Sequence, residues 1–198
     1  MVTNSIVLGA VILVCLTSIY ILVARDWRYS IGALAIQYIG VFLLVYTSWP
    51  LEMAITKMVA GWMAGAILGI AMTYIPDTRR VAEKSIRFGP IFRILAASIL
   101  ALTITSLVLH TESWLSMISV PILWGSFILI SFGLLQISLT SYPLMVIIGI
   151  LTFLSGFEII YAAVETSTLV TGLLAGVNLG LALVGAYLLI APTMESHP

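Results

Sequence analysis

Seven apolar runs, none holding more than one charged side chain, constrain this chain more than any other feature of it. They fall at about 5–24, 29–49, 53–75, 91–109, 120–139, 142–164 and 167–191. A helix rises 1.5 Å per residue, so about 20 apolar residues cross a hydrocarbon core of about 30 Å. Each run is long enough. None shows the ten-residue alternation of polar and apolar positions that marks an outer-membrane barrel strand. The expected fold is therefore all-α: a polytopic membrane bundle of about seven helices, with residues 1–198 as one integral membrane domain.

Composition excludes the main alternatives. Apolar residues make up 62% of the chain and charged residues 8%, with eight Lys+Arg against eight Asp+Glu. So few ions cannot cover a soluble surface, and no basic face is available for nucleic acid. The mean hydropathy of +1.21 agrees. Nothing positive precedes the first run, and Arg25 and Arg28 follow it, so it reads as a retained first span rather than a cleaved signal.

Basic residues give the direction. Arg25 and Arg28 lie between spans one and two, and Arg79, Arg80, Lys84, Arg87 and Arg93 lie between or beside spans three and four. Both loops fall on one side of the membrane. By the positive-inside rule that side is cytoplasmic, with the N-terminus outside and the C-terminus inside. Lys57 alone departs from the pattern. The Asp77–Gly89 loop has too few apolar residues to form a core, and reads as an ordinary positive loop.

Small residues suggest how the helices meet. Gly61, Gly65 and Gly69 recur at the spacing of Gly172, Gly176 and Gly180. Positions four apart share a helix stripe, where a neighbouring backbone can approach closely. Both stripes are expected to pack against other helices. The correspondence admits two related units, residues 1–75 and 120–191, joined by a linker and fourth span over 76–119. Equivalent helices would then run parallel.

Ionisable residues inside the spans carry the functional signal. Glu158 stands seven residues before Glu165, about 10 Å below the outer end of span six. An unpaired carboxylate there costs about 2.5–3.5 kcal/mol. It must face protein, find a partner or take a proton. Lys57 lies five residues past Glu52, at similar depth. It either snorkels to the headgroups or pairs with Glu158. Gln37 and Asn178 are lone polar residues in spans two and seven, suited to inter-helix hydrogen bonds or to a relay with the charged pair. Gln136 lies near a span end. Trp27, Trp49 and Trp114 fall at expected interfaces, and Trp62 and Trp124 lie deeper.

Catalytic and cofactor machinery is not expected. His110 and His197 are the only histidines and Cys15 the only cysteine, so the chain holds no haem pair or iron–sulfur ligand set of its own. Metal-protease, phosphate-loop and nucleophile-elbow motifs do not occur.

The stretch Gly156-Phe157-Glu158-Ile159-Ile160-Tyr161-Ala162-Ala163, with the glycine-rich span after it, resembles the small K-type membrane subunit of complex I. In that family a span with a G-L-E-like core carries an intramembrane carboxylate. Ile55-Thr56-Lys57 is similar to a turn in the longer E-type membrane subunit of energy-converting hydrogenases. The resemblance covers spans two, three, six and seven and carries over to Glu158 alone. Where the K-type pattern has a second carboxylate in its following span, this chain has Val177 and Asn178. Span two has Gln37 where a repeat would want Glu.

The resemblance implies a non-catalytic subunit of a respiratory, hydrogenase or photosynthetic energy-converting complex, assisting proton or cation translocation. Its partners would be other membrane subunits and lipids. A stand-alone transporter of small solutes, or a purely structural scaffold, are the alternatives.

Overall fold

The computed structural model describes residues 2–24, 26–75, 89–111 and 118–194. All secondary structure among them is helical. The helices are α1 (Val2–Val23), α2 (Trp27–Val45), α3 (Leu51–Thr73), α4 (Pro90–Thr111), α5 (Val120–Leu139), α6 (Pro143–Val164) and α7 (Thr168–Met194). Each is long and apolar enough to cross a membrane, and the protein is a multi-pass membrane helix bundle. Most of the Asp77–Gly89 loop, Trp114 and His197 lie outside the described residues.

Helix starts follow local chemistry. Pro121 and Pro143 sit in the first turns of α5 and α6, where a missing N–H breaks no helical bond. The end of α2 differs from expectation, at Val45 rather than near residue 49. Residues 46–49 instead wind into a turn: Thr47 and Ser48 N–H groups donate to carbonyls three residues back. Pro50 then starts α3. The turn buries Trp49, whose position in the sequence suits an interfacial aromatic belt. Its indole N–H donates to the Glu165 carbonyl at 2.8 Å and its ring meets Tyr161 edge-on.

Position in the bundle varies widely. Within the spanning windows 61% of α6 is buried but only 22% of α4 and of α7. The most extensive packing is α5 on α6, followed by α3 on α7 and α1 on α2. Two apolar cores result. One gathers Val14, Leu44, Val108, Leu123 and Leu129 from α1, α2, α4 and α5. The other gathers Leu34, Leu68, Ile148, Leu151 and Leu189 from α2, α3, α6 and α7. Helices α2 and α6 contribute to both, so polar side chains on their inner faces are held away from lipid.

The two glycine stripes behave differently. A Cβ on Gly61 would collide with the Tyr38 ring, and Cβ atoms on Gly65 and Gly69 would touch Ile31, so the α3 stripe lies along α2. For α7 the expectation is corrected. Cβ atoms on Gly172, Gly176 and Gly180 would meet nothing within 4 Å. Helix α7 docks instead through Thr171, Asn178, Ala182 and Leu189, which are buried, and through Gly185 against Ile147 and Leu68. The stripe points away from that face.

Candidate functional site

Two clusters of buried polar side chains occupy the interface between the cores. The first is charged. Lys57 is one helical turn before Gly61 on α3, and Glu158 is on α6; each stands six residues inside its helix end, about 9 Å of rise. Their side chains, 3% and 2% exposed as residues, form an ion pair between Lys57 Nζ and Glu158 Oε2. Lys57 does not snorkel. The other carboxylate oxygen accepts a 3.1 Å hydrogen bond from Asn178 Nδ2 of α7. The ammonium also lies 5.1 Å from the centroid of the Tyr38 ring of α2, within cation–π range.

Gly61 explains how the aromatic ring fits. Any side chain at that position would occupy the space of the Tyr38 ring. The glycine thus admits Tyr38 between α2 and α3, beside Lys57. Four helices therefore supply the charged cluster, and each partner compensates for another's loss of water. A lone buried ion would be far more costly than this pair.

The second cluster is neutral and deeper. Gln37 Nε2 of α2 donates to Ser18 Oγ of α1 at 2.8 Å, and Thr152 Oγ1 of α6 donates to Gln37 Oε1 at 3.1 Å. Ser18 in turn donates to the Val14 carbonyl. The donors all run one way, from α6 through α2 to α1. Ser155, one turn from both Thr152 and Glu158, is buried between the clusters and lies beside Tyr38.

Of the four relay candidates read from the sequence, Lys57, Glu158 and Asn178 share one cluster. Gln37 belongs to the neighbouring one. Tyr38, Ser18, Thr152 and Ser155 carry no signal in the sequence, because hydroxyls and a tyrosine are unremarkable in membrane helices until their partners are known. Gln136 is 3% exposed, and neither of its amide atoms has a hydrogen-bond partner among the described residues.

Arg93 has a role the charge count does not suggest. It is 5% exposed and reaches from the first turn of α4 to the Leu22 carbonyl at 2.6 Å and the Leu139 carbonyl at 3.4 Å. These carbonyls belong to the last turns of α1 and α5, which lack intrahelical donors and carry the negative end of the helix dipole. A guanidinium satisfies both, clamping peripheral α4 to the bundle.

No group of three or more His, Cys, Asp or Glu among the described residues could hold a metal ion. Neither a protein-family model, nor a curated protein, nor a solved structure matches this chain.

Proposed function

We propose that this chain is a non-catalytic membrane subunit of a respiratory, hydrogenase or photosynthetic energy-converting complex, where Lys57 and Glu158 assist proton or cation translocation. The observation that carries the reading is the buried ion pair, held by α3 and α6 and braced from α2 and α7. Apolar residues of similar volume often stabilise a protein as well as a buried pair does. Its presence in a bundle with so few ions favours a role beyond packing. The resemblance of the Glu158 segment to the K-type subunit supports the same reading. We place the chain in a bacterial cytoplasmic membrane, and basic-residue counting supports an orientation with the N-terminus outside.

A structural scaffold is the second reading, and the internal neutrality of the pair favours it. A stand-alone transporter has less support: the seven described helices run unbroken, without the discontinuous spans that often form midplane solute sites.

Native-gel mass of the protein taken from its own membrane tests the subunit reading. Migration with an assembly far larger than 21.4 kDa is expected; migration as a small homo-oligomer overturns it. Within such an assembly, Glu158→Gln should lower ion-coupled activity, whereas wild-type coupling would leave the scaffold.

A further inference from the structure

The charged cluster holds buried acceptors that its hydrogen bonds leave unused, the Tyr38 hydroxyl and the Asn178 amide oxygen among them. Asn178 is fully buried, and its Nδ2 is committed to Glu158 Oε1, yet its Oδ1 has no hydrogen-bond partner among the described residues. An amide oxygen is a good acceptor, and burial without a donor is unfavourable. Bound to the same carboxylate is a side chain with donors to spare. The Lys57 ammonium carries three N–H bonds, and the interactions it makes are the ion pair with Glu158 and the contact with the Tyr38 ring.

We propose that Asn178 Oδ1, together with the Tyr38 ring, is a second seat for the Lys57 ammonium, taken when Glu158 binds a proton. The proposal rests on the reading that Glu158 takes up and releases protons. A proton arriving at Oε2 forms an O–H bond and neutralises the carboxylate. Lys57 keeps all three of its protons, so the cluster changes from net zero to net plus one. Its ammonium has then lost its counter-ion inside the bundle, and a partner carbonyl together with an aromatic face replaces it. Deprotonation of Glu158 draws the ammonium back. Asn178 and Tyr38 are thus positioning residues that make both charge states of Glu158 tolerable.

Among the described residues, few titratable groups stand on the helices around this site. Helix α2 offers Tyr38 and α3 offers Lys57, while α5 has no ionisable side chain. On α7 the one ionisable group is Tyr187, nine residues beyond Asn178, and on α6 itself Tyr161 is one turn further toward the helix end.

The chain's composition makes the test direct. It contains two lysines, Lys57 and Lys84, and two asparagines, Asn4 and Asn178. Full-length protein labelled with 15N at lysine Nζ and 13C at asparagine Cγ, reconstituted in liposomes, reports their proximity by solid-state dipolar recoupling. Glu158→Gln, which imitates the protonated carboxyl, should strengthen the coupling severalfold over wild type at neutral pH. Unchanged coupling in that variant overturns the second seat.

Should the variant not fold, the same coupling is followed in wild-type protein during acid titration, alongside the infrared band of a protonated carboxyl. A Glu158-dependent band that rises with the coupling supports the proposal. A band without a change in coupling overturns the seat and leaves proton uptake standing. A strengthened coupling in Glu158→Gln, with no such band in wild type at any pH, supports the seat and removes the proton reading instead.

Discussion

The seam between α5 and α6 and the exposed stripe on α7 are built from the same residue type, and only the first meets a neighbour. A Cβ on Gly133 would stand 2.5 Å from the Phe153 amide nitrogen and 2.7 Å from the Gly149 carbonyl oxygen. One on Gly156 would stand 2.7 Å from the Ser126 carbonyl oxygen. Here backbone meets backbone. Gly172, Gly176 and Gly180 have the regular four-residue spacing and face open space. Regular spacing therefore permits close approach without directing it. In α7 the buried face is chosen by Asn178, which has a partner in Glu158, and by Ala182 and Leu189, which have a core to enter.

The strongest way to break the seam is Gly133→Leu or Gly156→Leu. Neither Cβ can be accommodated by turning a neighbouring side chain, because the obstructing atoms include backbone. Overpacking ordinarily costs about 1–3 kcal/mol, and these positions should reach about 3 kcal/mol or more. Thermal unfolding in detergent should show the loss, and near-wild-type stability would mean that α5 and α6 do not meet through glycine.

Gly61→Leu should follow, at about 2 kcal/mol. Its obstacle is the Tyr38 ring, which can move, but only by leaving the contact with Lys57. This variant should also quench or shift Tyr38 ultraviolet resonance Raman bands, whereas Gly133→Leu should not.

Gly185→Leu presses on Ile147 and Leu68 side chains, which can turn aside, so about 1 kcal/mol is expected. Gly176→Leu should be smallest, under about 0.5 kcal/mol for the isolated protein, as for other open positions. Its value lies in a second measurement. If Gly176→Leu leaves the purified chain stable but prevents its co-migration with a large assembly, another subunit occupies the stripe. A destabilised isolated chain would show that α7 packs by its glycines after all.

Lys57 and Arg93, both buried, show how unevenly a site can be read from sequence. Lys57 and Glu158 are legible as residues that cannot face lipid, because each stands alone in an apolar run and at comparable depth. The choice between headgroup and partner is not legible, since it depends on how α3 and α6 are rotated. Arg93 is legible only as one more positive charge near a loop. Its partners are main-chain carbonyls of Leu22 and Leu139, and every residue has a carbonyl, so no pattern of residue types could announce them. Gln37 likewise stands out as a lone amide, while Ser18 and Thr152 acquire meaning only once the amide reaches both.

Sequence by itself determined that the described residues form seven helices long and apolar enough to cross a membrane, where these begin and end to within a few residues, and which few side chains need shelter from lipid. These follow from the length of apolar runs and the energy of exposing backbone and charge to hydrocarbon, both local quantities. Tertiary structure decided which face of each helix turns inward. It selected the α5–α6 glycines over the α7 stripe, seated Tyr38 against Gly61, and brought Glu158 to Lys57 and Asn178. In membrane helices that are apolar all round, burial distinguishes one face from another only weakly. Rotation is settled instead by close packing and by pairing of the few polar groups, which require several helices at once.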